Sequence, residues 1–265
     1  MKRSDVKPYG LRTLAPFMGA LGLDDAPLGI FYTDRKPASG FTPRPQKAIR
    51  SDPGESDGEI NWTSCVLGKV RRARREKKAA YFDHTHYGCL GGAFFMGFKP
   101  YYEAFEPSLI STGIPGRFEG ERYVDSPETG KAFYDGFEPP PATGRFLVIQ
   151  PLNLFQGDDL PETVAFFPDR KTLIGLNALT TFVTRDPEAV RAPFGMGCCN
   201  LISWPRKLIR QGKQRAVIGC FDINCIKYLK REELTYVVPF DLFVKMVALW
   251  PDSMLGTRVW QRLNR

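Results

Sequence analysis

The stretch 81–98, YFDHTHYGCLGGAFFMGF, decides the reading of this chain. Its first residues read as a strand, Gly88, Gly91 and Gly92 mark a turn where backbone comes close to something, and the apolar run that follows reads as a helix. Cys89 falls near the start of that helix, where unpaired N–H groups and the helix dipole favour a thiolate. The only two histidines of the chain, His84 and His86, share these eighteen positions with Asp83 and Cys89. Each of these side chains can ligate a metal or move a proton. Imidazoles at i and i+2 on a strand point to the same face, so His84 and His86 are the catalytic candidates, as a general acid/base or as ligands. The plain alternative is a pair of exposed or capping histidines on a loop.

Working outward, a second stretch matches the first. Residues 215–227, RAVIGCFDINCIK, also run strand-like residues into Gly-Cys and then into a helical pattern. Cys65-Val66-Leu67 resembles Cys199-Asn200-Leu201, and GIFYTD at 29–34 resembles AFFPD at 165–169. Cys65 follows Asp34 by 31 positions and Cys199 follows Asp169 by 30. The expectation is an internal duplication, with pseudo-repeats at about 27–98 and 162–229.

The fold expected is α/β, with α+β as the alternative: a mixed sheet with packed helices, two related halves forming one domain over 1–265. Residues 8–23 fit an amphipathic helix, 28–32 a buried strand, 62–75 a helix with Cys65 in its first turn, capped by Asn61, Thr63 or Ser64. Strands are expected at 146–151, 163–167 and 215–221, and a helix at 171–184. A glycine-rich turn, 193–204, leads into a helix. Residues 232–250 read as a helix broken by Pro239, with Asp241 capping its second piece. Two long segments, 35–60 and 100–144, lack a period. The first reads as a mobile loop or lid. The second, an inserted irregular segment, carries enough Tyr and Phe to pack on the body, cover a pocket or form a dimer contact.

The chain has 265 residues, 43% hydrophobic, 25% charged and 13% aromatic, with 37 Lys+Arg against 29 Asp+Glu and a net charge of +8. That is a globular composition, large enough for a sizeable core. The densest basic block, 69–78, reads first as the solvated face of a helix; nucleic acid is not expected, because no known module accompanies the block. Pro16 and Gly19 break the apolar part of the N-terminus, so a secretory signal is not expected, nor is a membrane span. The expectation is a cytoplasmic protein whose six cysteines are thiols, catalytic residues or ligands rather than disulfides.

Cys65, Cys89, Cys199 and Cys220 are the cofactor- and metal-binding candidates. If two related halves pair about a pseudo-twofold axis, these four thiolates converge on an iron–sulfur cluster, or on zinc as the alternative. Cys198 and Cys225 are spares able to replace a neighbour. Buried cysteine also behaves as a small hydrophobe, which is the plain alternative. The glycine-rich turns match neither the dinucleotide fingerprint nor the Walker pattern, and no G-x-S-x-G is present.

Pro27-Leu28-Gly29, Cys65, Cys89-Leu90-Gly91-Gly92, Cys199, Gly219-Cys220 and Val238-Pro239 together resemble the ArCR-type uncharacterised family, a domain of unknown function found in bacteria and archaea, often anaerobes. The resemblance covers about residues 10–250. It implies a cytoplasmic prokaryotic protein, adds weight to a cysteine-held cluster, and carries no assigned activity. The function expected is a redox or electron-transfer role at a cysteine-ligated cluster or metal, with a small-molecule or redox partner and a homodimer as open options. A third idea is a thiol enzyme using Cys89 with His86. The alternative is a non-enzymatic ligand-binding or dimerising module whose cysteines are core residues. Whether the chain is an enzyme stays open.

Overall fold

The computed structural model of the protein describes residues 11–45, 65–155 and 159–263. In chain order the strands are β1 (Leu28–Thr33), β2 (Ala80–Phe82), β3 (Gly113–Ile114), β4 (Phe118–Glu119), β5 (Phe146–Pro151), β6 (Thr163–Phe166), β7 (Val190–Arg191), β8 (Ala216–Gly219) and β9 (Thr235–Pro239). The helices are α1 (Leu11–Leu21), α2 (Val66–Glu76), α3 (Leu90–Phe95), α4 (Glu106–Ile110), α5 (Pro127–Asp135), α6 (Arg170–Thr184), α7 (Trp204–Arg210), α8 (Ile223–Tyr228), α9 (Phe240–Leu249) and α10 (Arg258–Leu263). A π-helical turn, Cys199–Ser203, leads into α7.

Seven strands form one mixed sheet in the order β2-β5-β1-β6-β9-β8-β7, antiparallel except for the β7–β8 pair. Side chains along a strand alternate between faces, and here both faces are covered. On β5, Leu147 and Ile149 join one apolar core while Phe146 and Val148 join the other. The first core is closed by α2, α3 and the π turn, through Val66, Val70, Phe95 and Leu201. The second is closed by α1, α6, α9 and α10, through Phe17, Leu176, Phe243 and Trp260. Double coverage is why β1 reads as an unbroken apolar run. Five of the six cysteines belong to or pack on the first core and Cys89 lies against one of them, Cys65, so the chemistry of the chain gathers on one side of the sheet.

The α/β class with a mixed sheet is what the sequence led us to expect. The duplication is not shown. The order of elements does fall symmetrically about the central β1–β6 pair, with β5 and β2 outward on one side and β9 and β8 on the other. Symmetric order alone does not establish a common origin for two halves.

Three expectations need correction. Residues 235–239 are a strand, not the first piece of a broken helix. Thr235, Val237 and Val238 are β-branched, and the segment pairs with β6 on one side and β8 on the other, so five consecutive buried residues fill a central slot. Pro239 then precedes α9, and Asp241 lies in its first turn instead of capping it. Second, His84 and His86 lie in the turn after β2 and not on a strand. Third, 100–144 is not irregular throughout: α4, the β3–β4 hairpin and α5 follow one another between longer irregular stretches, and Ser126 caps α5 by accepting from Thr129 N at 3.2 Å. Asn61, Thr63 and Ser64 and most of the 35–60 loop lie outside the described residues. The basic block behaves as a solvated helix face: Arg71, Arg72 and Arg75 are exposed while Val66, Leu67, Val70 and Ala73 are buried. Arg74 is the exception, paired with Glu233 at 2.8 Å and stacked on Phe167.

The 100–144 segment is bound to the body near its C-terminal end and at its middle. Arg206, 5% exposed, donates to the carbonyls of Pro140 and Pro141 at 3.0 Å and to Glu162 at 2.9 Å. At its middle Tyr123 Oη accepts from Ile223 N at 2.8 Å and Asn224 donates to Glu121 at 3.0 Å, which fixes the segment to α8. Among the described residues no helix is long and apolar enough to cross a membrane.

A candidate thiol cavity

Between this segment and the first core lies a cavity of about 150 Å³. Three sulfurs face it, those of Cys65, Cys89 and Cys198, together with the carboxyl group of Glu106. Its walls are mainly apolar, from Leu67, Leu90, Phe105, Ile110 and Tyr134. Glu121, Asp222 and Asn224 add polar groups; no lysine, arginine or histidine lines it among the described residues.

Local sequence explains how Cys89 is placed. It is the N-cap residue of α3, in extended conformation, and its sulfur accepts from Gly92 N at 3.3 Å. Gly92 permits this because a Cβ there would come 2.7 Å from Val66 Cγ2 and 3.2 Å from the Cys89 sulfur. Val66 opens α2, and its amide N–H also points at Cys89. Cys65 caps α2 from the preceding position, with its thiol against the Cys89 sulfur and placed to donate to it. That thiol contact first, with the amides of Gly92 and Val66 adding to it against the cost of burial, brings Cys89 down to about 7. The partner thiol is held up by the same contact: Cys65 keeps its proton far above the ordinary thiol range. Burial, and the nearby Cys89 charge, push Cys198 up as well.

Glu106 is 1% exposed. Its Oε2 accepts from Tyr102 N at 2.5 Å, while its Oε1 is buried without a hydrogen-bond partner. Burial, chiefly, pushes this carboxyl up to about 8. A neutral acid and a thiol held toward its anion therefore line one small apolar space.

The remaining cysteines sit elsewhere. Cys220 occupies a left-handed conformation, φ 69°, and pairs with Cys225, whose thiol is 3.5 Å from Asp222 Oδ2. Asp222 caps α8 through Asn224 N and Cys225 N and also accepts from Gly197 N. Gly197 separates this pair from the cavity: a Cβ on it would meet Leu67 at 2.6 Å and the Cys225 sulfur at 2.8 Å. Cys199 turns its sulfur to Gly195, and burial pushes its thiol up. The expected set Cys65, Cys89, Cys199 and Cys220 thus does not line one cavity. The structure joins Cys65 to Cys89, adds the spare Cys198, and pairs Cys220 with the spare Cys225. Among the described residues no three His, Cys, Asp or Glu side chains are grouped to hold one metal ion.

The histidines do not line the cavity either. His84 is exposed with its ring 4.9 Å from that of Phe98, and His86 Nδ1 lies 3.0 Å from Asp83 Oδ1. Glu106 was missed by sequence reasoning. Its only signal is a lone carboxylate inside FEPSLI, 105–110, in a helix too short to show a period.

Among curated proteins and among solved structures, none matches this chain. The sequence pattern of DUF169, described as uncharacterised ArCR, matches residues 17–248, which include every residue of the cavity, and the chain belongs to that family.

Proposed function

We propose that the cavity is a thiol-redox centre in which Cys89 reacts and Cys65 resolves the product as a disulfide. The observation that carries this reading is the Cys65 thiol lying against the Cys89 sulfur at the meeting point of two helix starts, on the wall of a mainly apolar cavity. A thiolate is the attacking form, and reaction is fastest when its pKa sits near ambient pH. A neighbouring thiol that keeps its proton is then available to attack the oxidised sulfur. Six free cysteines among the described residues suit a reducing compartment, and the proposal places the chain in the cytoplasm with a small-molecule or protein redox partner. The test is competitive alkylation of the native protein with limiting iodoacetamide at pH 7, read by peptide mass spectrometry. Cys89 labels first, at least about tenfold ahead of Cys199, Cys220 and Cys225. Equal, slow labelling of all six thiols ends the proposal.

A cysteine-held iron–sulfur cluster is the second reading, favoured by three thiols, Cys65, Cys89 and Cys198, facing one cavity. It predicts iron and sulfide in anaerobically purified protein and absorbance near 400 nm; a colourless protein without iron or zinc counts against it.

A further inference from the structure

We propose that the oxidant this cavity takes is a small organic hydroperoxide, and that Glu106 donates the proton its leaving oxygen requires. The inference rests on the reading of Cys89 and Cys65 as a redox pair and deepens it by naming the substrate class and a third working residue.

Four observations narrow the substrate. The cavity measures about 150 Å³, the size that admits a molecule of about benzene's bulk. Its walls are mostly apolar, so the body of the ligand is apolar. Among the described residues no cationic side chain lines it, and Glu121 and Asp222 lie on its wall, so an anionic oxidant is disfavoured. Among the described residues that line the cavity, Glu106 Oε1 is a buried polar atom left without a partner. Because Oε2 already accepts from Tyr102 N, the carboxyl proton belongs on Oε1, which then needs an acceptor oxygen from the ligand.

The acid separates two kinds of oxidant. When a thiolate opens a disulfide, the departing sulfur leaves as a stable thiolate and needs no acid. When it opens an O–O bond, the departing oxygen is strongly basic (water itself has a pKa of about 15.7), and a proton donor beside it lowers the barrier. A buried neutral carboxyl next to Cys89 serves the second case.

The Cys89 thiolate attacks the outer oxygen of R–O–OH; the S–O bond forms, the O–O bond breaks, and the departing RO⁻ takes the Glu106 proton to become an alcohol. Cys89 is oxidised by two electrons to the sulfenic acid and the peroxide is reduced by two. The Cys65 sulfur then attacks that of Cys89. An S–S bond forms, the S–O bond breaks, and hydroxide leaves with the Cys65 proton as water. An external thiol reductant, two equivalents per turnover, returns the pair to dithiol.

The test is stopped-flow oxidation of the reduced full-length protein by tert-butyl hydroperoxide and by hydrogen peroxide, with Glu106→Gln and Glu106→Leu beside the wild type. Each rate is referred to that of free glutathione thiolate, and disulfide formation by diamide is measured in parallel. The expected result is wild-type oxidation by tert-butyl hydroperoxide at least about a hundredfold above the glutathione rate, and faster than by hydrogen peroxide. Both variants lose at least about tenfold with the hydroperoxide and keep their diamide rate. Circular dichroism and unchanged diamide kinetics show that the variants fold. A wild-type rate at the glutathione level, or variants as fast as wild type, overturns the inference while normal diamide oxidation leaves the redox pair standing. Failure with diamide as well removes the underlying reading.

Discussion

Two side chains of the cavity are pushed away from the protonation states they adopt in water, in opposite directions. Cys89 is drawn toward its anion, down to about 7, and Glu106 toward its neutral acid, up to about 8. Titratable neighbours pushed in opposite directions mark an acid and a nucleophile. The lead cause on Cys89 is the Cys65 thiol, so Cys65→Ala raises the pH midpoint of Cys89 alkylation by about one unit and slows it about fivefold at pH 7. An unchanged midpoint removes Cys65 as the cause. Glu106 gives a stability test with a definite sign. The folded carboxyl keeps its proton to about 8, whereas the unfolded one loses it near the ordinary value of 4.5. Above that value the unfolded state binds fewer protons, so this residue's contribution is complete in acid and is lost as pH rises through the window. Cys89 works the other way, but only between about 7 and its ordinary 9.0. Between pH 5 and 7, therefore, wild type loses ground to Glu106→Gln, by up to about 1.4 kcal/mol per pH unit. Denaturant melts at several pH values read this directly, and a pH-independent gap contradicts the placement of Glu106. At this scale the sequence was partly legible. Gly-Cys before a helix exposed Cys89, but nothing local shows that Glu106 is buried, because a five-residue helix carries no period and its burial comes from distant chain.

At the scale of elements, what holds the cavity is the meeting of two helix starts, α2 and α3. Gly92 sits where a Cβ would strike Val66, a short branched side chain with little room to turn. Gly92→Ala costs about 1–3 kcal/mol as overpacking and draws the Gly92 amide from Cys89, raising its alkylation midpoint. Gly19→Ala in α1 is the control, since nothing lies within 4 Å of a Cβ there; it leaves the midpoint alone and adds up to about 1 kcal/mol. Equal effects of the two would show that the tight corner is not built as described. Most elements could be read from periodicity and turn residues: α6 begins after the Asp169 cap, and β1, β5 and β6 are apolar runs bounded by turns. The strand β9 could not. Glu232, Glu233 and Leu234 ahead of it look helical, and only pairing with β6 and β8 tells the chain to extend, which is a tertiary override of local preference.

At the scale of the whole molecule, the cavity exists because the 100–144 segment closes over a sheet face that already carries the thiols. Arg206 is the tie at one end: it joins the carbonyls of Pro140 and Pro141 to Glu162, beside β6, and lies over the Tyr32 ring at 4.1 Å. Arg206→Met leaves two carbonyls without this donor and the half-buried Glu162 carboxylate with only Thr143 Oγ1 among the described residues. It costs about 3 kcal/mol, and limited proteolysis cuts first within 100–144 while the strands of the sheet stay protected. Cuts elsewhere, or no change in melting, count against the tie. That Cys65, Cys89, Cys199 and Cys220 are candidates for chemistry was visible in the sequence, from turns and matched spacing. The division of the six cysteines into a cavity trio, a Cys220–Cys225 pair and a separate Cys199 was not, because Gly197 and Asp222 decide it across long sequence distances. The central claim is that Cys65 and Cys89 form one reacting pair. Disulfide mapping by peptide mass spectrometry, after brief oxidation of the native reduced protein with diamide, tests it most directly. The account predicts a Cys65–Cys89 disulfide as the first and major product, with Cys199 still free; a first disulfide at Cys220–Cys225, or Cys89 left free while other thiols oxidise, would contradict it.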